Sequence, residues 1–221
     1  MDVSTAVLKR HSSRAFLDTP IDQLMLRSLI EKASRAPSNG NLQPWKVFVT
    51  QGDTLESIKR QAVKQLFDLG FDEPEYGVYP SPLHEPYRSR RFQIGEALYS
   101  LIGVDREDKA GRYRQFAKNA SLFGAPVGLF FYIDRKLGPA QWMDLGMYIQ
   151  SLMLLLEEQG ISSCAQGYWS LLHQVVTQHV QPDESLMLVC GLAVGYANEA
   201  EVINDLKSPR APVDDFAQFF D

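Results

Sequence analysis

At 221 residues, 45% hydrophobic and 22% charged, the chain has the size and composition of a soluble globular protein with one sizeable core. A net charge of −5 and a pI near 5.4 argue against a nucleic-acid partner, which leaves a basic footprint on the protein that binds it. No run of about 18 apolar residues marks a membrane-spanning helix, and "MDVSTAVLKRHSS" lacks the basic head and apolar stretch of a secretory signal, so a cytoplasmic chain without a membrane partner is expected.

A short helix opens the chain, capped near Ser4 or Thr5 and carrying Ala6, Val7 and Leu8. "TPIDQLMLRSLIEKASRAPS" signals a second helix: Thr19 suits the N-cap, Pro20 the first turn, and Asp22 the positive end of the dipole. Ile21, Leu24, Met25, Leu29 and Ile30 give its apolar face, and Pro37 ends it. "WKVFVT" reads as a strand, followed by a third helix over Asp53 to Leu66 with Leu55, Ile58, Ala62 and Leu66 on one side. From Asp68 to Pro86 the chain is dense in Gly, Pro and Tyr and too long for a connector; we read a lid-like excursion over 68–92.

Helical signals resume in "YRSRRFQIGEALYSLIG" and in "DREDKAGRYRQFAKNA", the latter capped at Asp105. "PVGLFFYID" is a nearly continuous apolar strand, hence central and buried on both faces. "PAQWMDLGMYIQSLMLLLEEQG" is the longest helix, apolar around most of its circumference and therefore buried, with Gly160 at its C-cap. A short strand in "ISSCAQG", a helix in "SLLHQVVTQHV", a strand in "SLMLVCGLAVGYA" and an aromatic-bearing arm over 205–221 complete the chain. Strands are few and unevenly spaced, which predicts a single α+β domain over 1–221 with helices around a small sheet.

Arg10 and Arg14 flank Ser12 and Ser13. Basic residues at a helix end commonly do no more than offset the dipole. Two guanidiniums with hydroxyl and main-chain N–H groups would also surround a phosphate. In "APSNGNLQPW" a turn is expected, yet Ser38, Asn39, Asn41 and Gln43 bring more amide and hydroxyl groups than a turn needs. Such groups suit an aromatic heterocycle edged with carbonyls and ring nitrogens. "CAQGYWS" places a glycine where main chain can approach a ligand, with Tyr168 and Trp169 as core or as ring neighbours. Lys207 and Arg210 in "LKSPRAP" read on their own as a solvated tail. Cys164 and Cys190 read as core thiols, the four histidines lack metal-ligand spacing, and no G-x-G-x-x-G or Walker lysine occurs. Neither a metal nor a protein nucleophile is expected.

Taken in order, "KRHSSRAFLDTPI", "ASRAPSNGNLQPWKVFV", "GISSCAQGYW" and "CGLAVGYANEAEVINDLKSPRAPVDDF" resemble the flavin-dependent nitroreductase family over Val7 to Phe216. "YPSPLHEPYRSRRFQIGEALYSLIGVDRED", "FGAPVGLFFYIDR" and "QWMDLGMYIQSLMLLLEEQG" further resemble the branch that includes nitrobenzoate reductases. The resemblance implies a nitroreductase-like α+β fold with a small, mostly antiparallel sheet, in an intertwined homodimer that holds FMN between subunits. It implies Arg10, Ser12 and Arg14 at the flavin phosphate and ribityl chain, with His11 in support. Pro37, Ser38 and Asn39, with Asn41 and Gln43, would reach in from the other subunit; Gln166 and Gly167 would face flavin N5 and O4 through main-chain N–H groups; Arg210 would hold the phosphate. Family members often carry a lysine two residues before that arginine; here the position is Ser208, with Lys207 one residue earlier, so the role of Lys207 stays open.

The implied activity is reduction of nitroaromatic or similar electron-poor acceptors by NADH or NADPH, in ping-pong hydride transfer through flavin N5, with no catalytic side chain. Alternatives are quinone or enoate reduction or reductive dehalogenation on the same scaffold, a non-catalytic flavin-binding module, and a flavin-free domain. Tyr and Pro residues from Gly77 to Tyr87, and Trp142 or Tyr168, are candidates for the acceptor pocket. Arg88, Arg90 and Arg91 read first as a solvated helix face and second as a carboxylate-recognition element.

Overall fold

The apolar run from Val127 to Ile133 can be buried on both faces only if helices cover both, and they do. The structure, a computed structural model, describes residues 1–220. β1 (Lys46–Gln51), β2 (Val127–Asp134), β3 (Ser162–Gln166) and β4 (Leu186–Gly195) form one antiparallel sheet in the order β1-β2-β4-β3. Around it lie α1 (Val3–Lys9), α2 (Gln23–Ala33), α3 (Gly52–Asp68), α4 (Tyr87–Leu101), α5 (Lys109–Ala117), α6 (Pro139–Glu158) and α7 (His173–Val180). This is the expected α+β architecture, with β3 left on an edge.

The period-2 alternation of β2 divides the interior. Phe130 and Tyr132 enter a core with Leu55, Ile58 and Leu66 of α3 and Val175 and Val176 of α7. Leu129, Phe131 and Ile133 enter a second core with Leu26 and Leu29 of α2 and Leu145, Leu152 and Leu156 of α6. Opposite β2, Cys190 pairs with Phe131 and Leu188 with Tyr132, so Val189 is one residue too many: a β-bulge. The hydroxyl of Tyr76 donates to the Val189 carbonyl, and its ring meets Trp142 edge to face. Asp72 ties down the same excursion. Its carboxylate accepts from the Gln65 side chain (2.6 Å) and the Gln174 N–H (2.9 Å), while its own N–H donates to the Leu171 carbonyl (2.9 Å).

Several element ends differ from expectation, each because a better-placed carboxylate wins. Asp2 rather than Ser4 or Thr5 caps α1, accepting from the Thr5 N–H at 2.9 Å. Asp22 rather than Thr19 caps α2, accepting from the Met25 N–H at 2.6 Å, because Ile21 must first enter the core. Asp108 rather than Asp105 caps α5, accepting from the Gly111 N–H at 2.8 Å. Gly160, with φ 70°, closes α6 as expected: its N–H reaches the Glu157 carbonyl and the Ile161 N–H the Leu156 carbonyl. The first three residues of "SLLHQVVTQHV" belong to a tighter 3-10 turn over Gly167–Leu172, and the α-helix starts only at His173. α6 is buried along one face, not around its circumference; Met143 is exposed, since the sheet covers a single side.

The turn after α2 docks on that buried face. Asp144 is fully buried and accepts from the Asn39 N–H (3.1 Å) and the Asn39 side-chain amide (3.0 Å). Asp144→Ala removes the acceptor of both bonds, a loss of about 1 kcal/mol each, because water can take the donors of exposed Asn39. We expect faster hydrogen exchange at the Asn39 amide; an unchanged rate would show that the carboxylate does not hold the turn. On the other side of the sheet, a Cβ on Gly191 would overlap the indole of fully buried Trp169. Gly191→Ala is therefore expected to lower stability by about 1–3 kcal/mol in urea denaturation, and an unchanged midpoint would contradict this packing.

Candidate functional site

The segment after α1 becomes an extra strip along the free edge of β3. Ser12 bridges Ser163 in parallel, and the Ser13 N–H donates to the Ser163 carbonyl at 3.1 Å. Phe16 bridges Ala197, and the Leu17 N–H donates to the Tyr196 carbonyl at 2.8 Å. Asn204 locks the strip from the other side. Its Oδ1 accepts the Arg14 N–H (2.7 Å), and its Nδ2 donates to the carbonyls of Ala15 (2.9 Å) and Asn198 (3.0 Å). One side chain thus satisfies three main-chain groups at a place where no helix or sheet ladder could.

The strip positions the basic pair. Arg10 is the C-cap of α1, but Arg14 lies beyond the helix, so the dipole accounts for Arg10 at most. Arg14 Nη1 donates to the Ser12 carbonyl at 3.1 Å. Both arginines are half-buried, and among the described residues neither has a carboxylate partner. They and Ser12 act on the buried thiol of Cys164. Burial pushes the thiol pKa up, while the Arg14 charge, a hydrogen bond with Ser12 and the Arg10 charge pull against it. His11 Nδ1 lies 3.0 Å from the Lys9 carbonyl, a contact that places a proton on Nδ1.

Three residues further along β3, about 10 Å at strand rise, Gln166 ends the strand. It is buried, and its Nε2 donates to the Asn119 carbonyl (3.1 Å) and Asn119 Oδ1 (3.0 Å). Its Oε1 is buried with no donor. Gly167 follows, with the Val78 Cγ1 3.5 Å from where a Cβ would stand, so the excursion runs directly past this main chain.

The turn carrying Pro37, Ser38, Asn39, Asn41 and Gln43 stands apart on α6. The Gln43 N–H donates to Ser38 Oγ (3.0 Å) and Gln43 Nε2 to the Asn41 carbonyl (3.2 Å). Asn41 (φ 55°) and Gln43 (φ 48°) hold left-handed conformations that non-glycine residues rarely adopt, a strain that marks functional loops. Among the described residues no hydrogen bond links this turn to residues 10–14 or 166–167.

Lys207 and Arg210 are exposed. Arg210 Nη1 donates to the carbonyls of Ser208 (2.9 Å) and Pro209 (3.0 Å), and the side chain lines a groove with residues 79–94 rather than the Arg10–Arg14 cluster. The structure therefore unites Arg10, Ser12, Arg14, Gln166 and Gly167 along β3, and leaves Pro37–Gln43 and Lys207–Arg210 on separate surfaces. Sequence reasoning missed Asn204, Asn119 and Asp144. Only Asp144 carried a signal: a lone carboxylate inside the apolar run "QWMDLGMY".

The model of the nitroreductase family matches residues 7–196. The chain is 36% identical to a 4-nitrobenzoate reductase of Pseudomonas putida over 99% of its own length and 95% of the relative's. It is 34% identical to a chloronitrobenzene nitroreductase of Comamonas testosteroni, covering 98% and 96% of the two chains. Its fold superposes with a TM-score of 0.96 on the FMN- and NADPH-dependent nitroreductase NfnB of Sphigopyxis sp. strain HMH, at 41% identity and full coverage of both chains. A strip carrying Arg10, Ser12 and Arg14 beside an edge strand ending in Gln166-Gly167, together with these likenesses, makes the chain a member of the nitroreductase family.

Proposed function

We propose that the chain is an FMN-dependent NAD(P)H oxidoreductase that reduces nitroaromatic or similar electron-poor acceptors, with reductant and acceptor taking turns at one place. The observation that carries this reading is the pairing of features along β3. Two half-buried arginines, with no carboxylate partner among the described residues, lie by the strip that bridges Ser163, and three residues along the strand stands Gln166, whose side-chain oxygen is buried with no donor. FMN fits this donor set, because it bears a phosphate at one end and a ring edged with N–H and carbonyl groups at the other. The full-length relatives named as nitrobenzoate and chloronitrobenzene reductases, and the FMN- and NADPH-dependent neighbour, support the same assignment.

Arg10, Ser12 and Arg14 would hold the phosphate, with His11 stiffening the α1 exit and Asn204 fixing the strip. Gln166 and Gly167 would meet the ring. Pro37, Ser38, Asn39, Asn41 and Gln43 would reach the flavin of a second copy; Asn39 keeps its side-chain oxygen available because Asp144 takes its N–H groups. Arg210 and Lys207, on a separate exposed surface, would add phosphate contacts to the flavin of a second copy. A homodimer of this kind is supported by large apolar side chains left exposed on α1, α6 and the arm: Val3, Leu8, Met143, Phe216, Phe219 and Phe220. Bound FMN supplies hydride relay between NAD(P)H and the acceptor. The chain's own part is to position partners beside the ring and to favour negative charge there with N–H donors and guanidiniums. No side-chain nucleophile is required.

We expect the purified protein to be yellow, to bleach anaerobically with NADH or NADPH, and to recover its colour on adding a nitroarene. FMN that NAD(P)H leaves unbleached would reduce the chain to a flavin-binding module. Turnover of quinones or enoates with inert nitroarenes would reassign the acceptor. Asn204→Ala, which frees the strip while leaving every side chain proposed to contact FMN in place, should weaken FMN binding by roughly tenfold. Equal FMN affinity by fluorescence titration would show that the strip needs no lock.

A further inference from the structure

We propose that the groove between the excursion and the C-terminal arm selects acceptors that carry a carboxylate on an aromatic ring, and that Arg91 recognises the carboxylate. This rests on the reading of the chain as a reductase of aromatic acceptors. The groove encloses about 700 Å³, within the range of small-molecule sites, and is lined by Tyr79, Tyr87, Ile94, Arg90, Arg91 and Arg210 among others. One lining residue, Tyr79, directly follows Val78, whose Cγ1 stands 3.5 Å from where a Gly167 Cβ would be, beside the proposed ring site. Aromatic and apolar walls suit a planar ring. The charge suits an anion: three guanidiniums face a single carboxylate, Asp215, in a chain whose net charge is −5.

The arginines of this region are not equivalent. Arg88 is turned to Glu85 at 2.7 Å. Arg90 lies 3.6 Å from Asp215. Arg210 spends its Nη1 on carbonyls of its own turn. Arg91 stacks over the Tyr79 ring at 4.7 Å, and among the described residues it has no carboxylate within 4.0 Å. Stacking uses the face of the guanidinium and leaves its N–H fork free along the edge, the geometry that takes a carboxylate through two parallel hydrogen bonds. α4, which carries Arg91, is tied to α5 by one bidentate ion pair. Its Glu96 is held by both Nη atoms of Arg112, whose guanidinium lies 4.4 Å from the Tyr99 ring centre. Because the groove is open to water, a neutral acceptor leaves Arg91 hydrated rather than orphaned. The discrimination is therefore tens of fold rather than the thousands a sealed polar pocket gives.

The test uses the holoenzyme. kcat and KM are measured for 4-nitrobenzoate and for nitrobenzene in wild type and Arg91→Gln, with NADH and with NADPH, and benzoate binding is measured by competition or calorimetry. We expect wild type to favour 4-nitrobenzoate by roughly tenfold or more in kcat/KM, and the preference to shrink at high salt. Arg91→Gln should lower the ratio roughly tenfold through the KM of nitrobenzoate, with kcat nearly constant, and weaken benzoate binding to match. A ratio and a benzoate affinity that survive the substitution would overturn the proposal while leaving nitroreduction intact. A KM effect confined to NADPH would overturn it too, by assigning the groove to the coenzyme phosphate. If neither nitro compound reacts, the functional reading fails, and benzoate affinity alone decides whether Arg91 forms a carboxylate site.

Discussion

The edge position of β3 is the constraint from which the site follows. An edge strand presents main-chain groups that must be satisfied or covered. Here one stretch, at Ser163, is covered by Ser12 and Ser13, the start of a strip that runs on to pair with the chain after β4 and is too short to be a strand of its own. Covering the edge at Ser163 and leaving it open near Gln166 produces a closed, basic end and an open, polar end on the same strand. Asn204 makes the arrangement rigid, joining the strip to the chain that returns after β4. Had the sheet continued past β3, neither end would exist.

A second constraint sits one strand further in. The bulge at Val189 turns a carbonyl out of the ladder, and the Tyr76 hydroxyl takes it. This contact and the double acceptance by Asp72 hold the start of the excursion against the body of the protein. Val78 is therefore delivered beside Gly167, and Tyr79, the next residue, enters the wall of the groove. The same irregularity that interrupts pairing between β2 and β4 thus helps to position that wall.

Much of this was legible from residue patterns, and the failures have a common cause. β2 declared itself as an apolar run, α3 through Leu55, Ile58, Ala62 and Leu66, and the end of α6 through Gly160. These are local signals, set by period and by backbone conformation. The helix starts at Asp22 and Asp108 are hard to read because competing polar residues stand within one turn; at Asp22 the core position of Ile21 decides. Asn204 and Asn119 were invisible because each acts on a main-chain or amide group distant in sequence. Arg14 was ambiguous for the opposite reason: its type was suggestive, but only the strip geometry removes it from the helix end.

The central claim is that Arg10 and Arg14 form an anion cradle that β3 places in line with Gln166. The most direct test is titration of flavin-free protein with FMN, comparing wild type with Arg10→Ala and Arg14→Ala. The account predicts that each substitution raises the FMN dissociation constant by roughly tenfold or more, with the far-ultraviolet circular dichroism and thermal midpoint of the flavin-free protein unchanged. Wild-type affinity in both variants would contradict it and return the two arginines to the end of a helix.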